Sequence, residues 1–132
     1  EFDPFRLNMG HSFDVGGMIN NQTLYANFRL LLDYHDFLEP SVRFRHIEGL
    51  MERFNLENLK HLRPAFVSSS AAKAACVLRA FALRPEVVIL DNPTHGMSVE
   101  HIPSLVDLIH EHQQKHSLKY VLVSSDDVGL IG

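Results

Sequence analysis

An α/β fold, a parallel sheet flanked by helices, is what this chain of 132 residues predicts. Three observations carry that expectation. The apolar run Val87-Val88-Ile89-Leu90 ends in Asp91, the pattern of a buried parallel strand that delivers one carboxylate to the carboxyl edge of a sheet. A second short apolar run, Val121-Leu122-Val123, follows after one helix length of sequence. The stretches before and between these runs carry helical periodicity, so helix and buried strand alternate in the βαβ rhythm.

Composition sets the outer bounds. With 45% hydrophobic and 21% charged residues, the chain can form one globular domain with a real core. Its formal net charge is −4 and its Lys and Arg are dispersed, which argues against a nucleic-acid interface, since such surfaces carry a basic face. The apolar runs are too short to span a bilayer, so membrane association is expected only through a partner. Cys76 is the single cysteine, which fits a reducing compartment. Its Ala-rich surroundings mark it as a small buried residue. The chain opens on Glu1-Phe2 rather than Met, and the expectation is an excised or processed segment.

Each element has a local reason. Residues 6–13 alternate loosely as a short strand, and Asp14-Val-Gly-Gly-Met-Ile-Asn-Asn21 is rich in turn formers. Thr23 is a suitable N-cap for a helix with Leu24, Phe28, Leu31 and Leu32 on one face. Pro40 interrupts the chain, and Ser41 is expected to cap a second helix carrying Phe44, Ile47, Leu50, Met51 and Phe54. Phe37, Phe44 and Phe54 are assigned to the core of this helical segment. Residues 55–64 form a connector. Ser68 to Ser70 can cap a third helix over 71–83, whose alanines favour helix and allow close packing on a sheet. Arg84-Pro85 stops it. After the strand 87–90, Ser98 is expected to cap a fourth helix through Ile102, Leu105, Val106 and Ile109, with Pro103 tolerated in its first turns. Residues 119–124 complete the sheet.

The ordered motifs then point to a family. Val67-Ser-Ser-Ser-Ala71, Arg79-Ala80, Leu90-Asp-Asn-Pro-Thr94, Gly96-Met-Ser98 and Val123-Ser-Ser-Asp126 follow one another at fixed intervals. In that order they resemble the signature motif, the following Ala-Arg-Ala helix, the Walker B strand, the D-loop and the switch segment of an ABC-transporter ATPase domain. Upstream, Met9-Gly10, Phe13-Asp14 and Gly16-Gly17-Met18 resemble the Q-loop region, in wording close to the Mla-like lipid-trafficking branch. The resemblance implies a truncated P-loop-NTPase-like sheet, divided into a Q-loop-like strand and loop (1–22), a helical subdomain that touches membrane subunits (23–66) and the core (67–132).

The departures from the family are as ordered as the matches. Asp14 stands where the family has its magnesium-linked Gln. Ser69 and Ser70 replace the two signature glycines, which let backbone N–H groups approach a phosphate at a helix N-terminus. Asn92 replaces the general-base Glu and cannot accept a proton from an attacking water. Ser98 replaces the D-loop Asp, and Ser125 the switch His. No Gly-x-x-x-x-Gly-Lys-Ser/Thr run occurs in these residues, so the nest of N–H groups and the lysine that hold triphosphate are missing from this sequence.

By this resemblance ATP and Mg²⁺ are the cofactors, with Ser68, Ser69, Ser70 and Asp14 as cofactor-binding positions and Asp91 as the metal ligand. The chain alone is not expected to bind them, and no residue is assigned a catalytic role. Partners are a membrane permease subunit and a second ATPase-like domain, with no nucleic acid and no direct membrane insertion. The location is the cytoplasmic side, peripheral to the membrane.

Three readings follow: a non-hydrolysing subunit or fragment in transporter assembly or regulation, a fragment of an active ATPase subunit whose phosphate loop lies upstream, or a stand-alone protein-interaction module. A different possibility is metal binding by His112 and His116, four apart on a predicted helix. His110, Glu111 and Lys115 around them read instead as a solvated helix end. His95 reads as a surface loop residue. Loss of the cradle strand and its helix would leave a sheet edge and an apolar face uncovered, so self-association is expected.

Overall fold

The computed structural model describes residues 8–13 and 17–124. Its centre is a three-stranded sheet in the order β1-β2-β3, with β1 at Met9–Ser12, β2 at Val87–Asp91 and β3 at Tyr120–Ser124. Both pairings are parallel. The register places Ser12 beside Leu90 and Asp91 beside Ser124, so all three chains run out at one carboxyl edge.

Helices α1 (Leu24–Tyr34), α2 (Pro40–Glu52) and α3 (Ser69–Arg79) lie between β1 and β2, and α4 (His101–Lys115) lies between β2 and β3. This is the expected α/β arrangement. Leu24, Phe28, Leu32, Ile47, Met51, Phe54, Ala74, Val77, Leu78, Val88, Leu90, Leu105 and Leu108 form one continuous buried core. Thr23 caps α1 as expected, its side chain accepting from Ala26 N–H at 3.0 Å.

Three helix boundaries differ from expectation. Pro40 is itself the first residue of α2, after Glu39, because a fixed φ and a missing N–H cost nothing at that position. Ser41 therefore does not cap it. The α-helical part of α3 stops at Arg79, and the chain continues to residue 83 through tight turns closed by Ala80, Phe81 and Ala82 N–H bonds to carbonyls three residues back. Ser98 does not cap α4 either. Its hydroxyl donates to Glu100 Oε1 at 3.2 Å, and α4 begins at His101.

Among the described residues, packing against the sheet is tight on one face and sparse on the other. A Cβ built on Gly10 would stand 1.9 Å from the Ala80 carbonyl oxygen, so only glycine lets the end of α3 lie on β1. Gly10, Ser12, Val88 and Leu90 are buried on this face. On the opposite face Met9, Tyr120 and Leu122 are 54%, 61% and 57% exposed. Side chains alternate across a strand, so these three share one uncovered apolar surface.

Of the three phenylalanines assigned to the helical core, Phe54 is fully buried and Phe37 is half-buried. Phe44 is exposed and rests at 5.5 Å on the Tyr25 ring. The end of α4 is also less solvated than its composition suggests. His112 is only 3% exposed, held by Phe81 at 5.1 Å and bonded through Nδ1 to the Leu108 carbonyl at 3.0 Å. Burial, reinforced by the nearby His116, Arg53 and Arg84 charges, pushes its pKa down to about 4.

Candidate functional site at the carboxyl edge of the sheet

Asp91 closes β2 at the carboxyl edge, and its residue is exposed. Open α/β sheets place their ligand sites there. Asn92 turns the chain away at once. Its φ is +49°, a left-handed conformation that Asn adopts more readily than most residues, and its N–H donates to the Ser124 carbonyl. Pro93 is buried, and the turn closes through His95 N–H to Asn92 O at 3.1 Å and Met97 N–H to Thr94 O at 3.1 Å. His95 lies exposed in this turn, as a loop residue.

The three serines before α3 do different things. Ser68 is the N-cap, accepting from Ala71 N–H at 3.0 Å. Ser69 opens the helix and lines a cavity of about 380 Å³ with Phe13, Met18, Cys76, His95 and Gly96. Ser70 Oγ accepts the Ser98 N–H at 2.9 Å and so ties the start of α3 to the turn after β2. Cys76 is buried, as its Ala-rich setting suggested, with Sγ 4.0 Å from the Ser12 hydroxyl.

The expected site residues are thus divided. Asp91 lines a second cavity of about 380 Å³ with His11, Ile89, Val121, Leu122 and Ser124, on the uncovered side of the sheet. Of these two cavities Ser69 lines the first and Asp91 the second. Asp14 and Ser125 lie outside the described residues. Among the described residues no group of three or more His, Cys, Asp or Glu is placed to hold a metal ion, although the His112 and His116 rings do meet at 4.8 Å.

Two connections were not legible beforehand. The Ser70–Ser98 bond joins positions 28 residues apart, and the Arg79 guanidinium donates to the Gly17 carbonyl across 62 positions. Neither pair shows a local spacing signal. Each ties α3 to a loop that is distant in the sequence.

No protein-family model matches the chain. Among curated proteins it is similar to the ABC transporter ATP-binding protein YtrE of Bacillus subtilis, at 26% identity over 128 residues, 96% of this chain and 55% of that protein. It is also similar to the sulfate/thiosulfate import ATP-binding protein CysA of Mesostigma viride, at 26% over 119 residues, 90% of this chain and 34% of that one. The lipoprotein-releasing system ATP-binding protein LolD of Idiomarina loihiensis is 30% identical over 87 residues, 66% of this chain and 38% of its own length. The chain therefore spans from about a third to just over half of these relatives.

Among solved structures, the dimeric bacterial ABC transporter cassette MJ0796 superposes with a TM-score of 0.82 at 18% identity, over 93% of this chain and 54% of that one. An ATP-binding subunit of an ABC transporter superposes at 0.79 with 22% identity, over 91% and 49%. The solved structures share the parallel sheet and its flanking helices over more than nine-tenths of this chain, and the chain therefore has the fold of an ABC transporter ATP-binding cassette.

Proposed function

We propose that this chain is part of a transporter's ATP-binding subunit that serves assembly or regulation rather than hydrolysis. One observation carries the reading: the central parallel strand delivers Asp91 to the carboxyl edge, and the next residue is the neutral Asn92 in a left-handed turn. A carboxylate at that next position would take a proton from water, an effect worth about 10²–10⁴-fold in rate. An amide cannot.

The residues present fit a magnesium nucleotide poorly. Asp91 supplies one exposed carboxylate, whereas Mg²⁺ bound this way also needs phosphate oxygens held nearby. At the start of α3 the Ala71 N–H is already taken by Ser68, and Ser69 and Ser70 put Cβ atoms where backbone approach to phosphate requires glycine.

The separation of Ser69 from Asp91 suits a paired arrangement, in which the start of α3 faces a second ATPase-like domain. Residues 23–66 would then meet a membrane permease, residues 67–132 would form the core face and residues 1–22 the linking strand and loop. Such a subunit would sit at the cytoplasmic side of the membrane through its partners. No helix among the described residues is long and apolar enough to cross a membrane. The Mla-like wording around Gly16-Gly17-Met18 suggests lipid as the transported class.

A second reading has its own support. The chain covers just over half of YtrE, so a phosphate loop can lie upstream in the parent protein, and the parent then hydrolyses ATP slowly. The two readings separate on one assay. The full-length protein is incubated with labelled ATP and Mg²⁺, with and without its permease. Turnover below a tenth of an ordinary cassette supports the non-hydrolysing subunit; turnover within tenfold overturns it.

A further inference from the structure

We propose that the cleft between α2, the turn before β2 and the end of α4 binds a small phosphate-bearing molecule. The cleft has a volume of about 250 Å³ and is lined by Arg45, His46, Arg53, Arg84, Glu111 and His116, with His112 at its wall. It lies at the opposite end of the strands from Asp91. Arg84 lies three residues before β2, and His116 directly follows α4 on the way into β3. It is therefore separate from the carboxyl-edge site, and its test reads no ATP turnover.

Charge singles it out. The chain as a whole is acidic at −4, yet three guanidinium groups gather around this one cavity. Arg53 is paired with Glu111. Among the described residues neither Arg45 nor Arg84 has a carboxylate within ion-pair distance, and the Arg84 guanidinium instead lies 5.9 Å from the Phe37 ring centre. Like charges collected in a half-buried cleft oppose one another, and a bound dianion would reverse that repulsion. A planar guanidinium fork matches phosphate oxygens, so two unpaired forks define the ligand's chemistry.

The imidazoles beside these arginines favour the neutral form on their own, and a bound anion would favour their protonation. His46 donates Nε2–H to the Ala82 carbonyl at 2.8 Å, and His112 donates Nδ1–H to Leu108, so each keeps its other ring nitrogen for a proton. His46, His112 and His116 all have lowered pKa values. Burial is the largest cause in each, and Arg84 adds its repulsion to all three, with His116 acting on the other two, Arg53 on His112 and Lys115 on His116. The cavity falls below the volume of drug-sized sites, which suits a phosphate group on a small body.

Calorimetric titration of the full chain with inorganic phosphate, at low salt and pH 7, tests this. Saturable binding with Kd of about 1 mM or tighter is expected. Arg84→Asn and Arg45→Gln should each weaken it about tenfold, the loss of one charge-assisted hydrogen bond. Arg84 has φ +50°, a conformation that Asn tolerates, so that variant removes charge without straining the turn. Nuclear magnetic resonance titration should show the His46 and His116 pKa values rising when phosphate is present. Phosphatidylcholine vesicles with and without phosphatidic acid distinguish the source. Binding to acidic vesicles that is lost in Arg84→Asn assigns a lipid headgroup; phosphate binding without it assigns a soluble ligand. No saturable binding to phosphate or vesicles, or equal binding by wild type and both variants, overturns the proposal.

Discussion

The Ser70 hydroxyl accepts the Ser98 backbone N–H at 2.9 Å, so the first turn of α3 and the turn after β2 behave as one unit. Ser70→Ala should cost about 1 kcal/mol, because a partly buried N–H loses its acceptor. Ser70→Gly should cost at least as much, since it also raises the entropy of the unfolded chain. Urea denaturation of both variants measures this; a Ser70→Ala midpoint equal to wild type would show that water replaces the bond.

Gly10 has no freedom to change. Gly10→Ala sets a methyl against the Ala80 carbonyl and the Pro85 ring, and backbone cannot swing aside as a side chain can. The expected loss is about 3 kcal/mol or more, the upper range for overpacking. Thermal denaturation reads it directly.

Arg43 is buried and holds the α1–α2 turn together. It bonds Asp33 at 2.8 Å, Asp36 at 2.7 Å and the Phe37 and Leu38 carbonyls, around a turn in which Asp36 and Leu38 both have positive φ. Arg43→Leu should destabilise by about 2 kcal/mol or more, since the two carbonyls and Asp33 lose a charged donor. Arg43→Lys should recover little of this, because a point charge cannot bond four acceptors in the same plane. Equal stability of the Leu variant and wild type would remove Arg43 from this role.

Acid should weaken the fold through His112. Its folded pKa of about 4 lies below the ordinary 6.5, so between these values the unfolded chain binds the extra proton. Stability is then complete above about pH 6.5 and falls as pH drops towards 4, by at most about 3 kcal/mol. His46 and His116 are lowered too and add in the same direction. Denaturant midpoints measured from pH 7.5 to 4.5 check the slope, which His112→Gln should reduce.

The uncovered sheet face makes a prediction about association. Among the described residues, Met9, Tyr120 and Leu122 present apolar surface on a sheet whose outer strands β1 and β3 each pair with β2 alone. The isolated chain should self-associate with rising concentration, and Leu122→Lys should shift it towards monomer. Light scattering showing a clean monomer for wild type would contradict this.

The sequence by itself determined the strands, their parallel alternation with helices, and Asp91 at a strand tip, because each follows from periodicity and a terminal acid within a few residues. It also marked Thr23 and Ser68 as caps, since capping is a bond across three positions. It misplaced Ser41 and Ser98 for the same local reason: both are good capping residues, but Pro40 fits the first helical position and Glu100 stands between Ser98 and α4. Composition likewise made the end of α4 look solvated, whereas Phe81 folds over His112 from another element. What only the tertiary structure decided are the long-range pairings: Ser70 with Ser98, Arg79 with Gly17, the arginine cleft, and the division of Ser69 and Asp91 between two cavities. A hydrogen bond between distant segments depends on how the helices pack beside the sheet, and no short stretch of sequence encodes that packing.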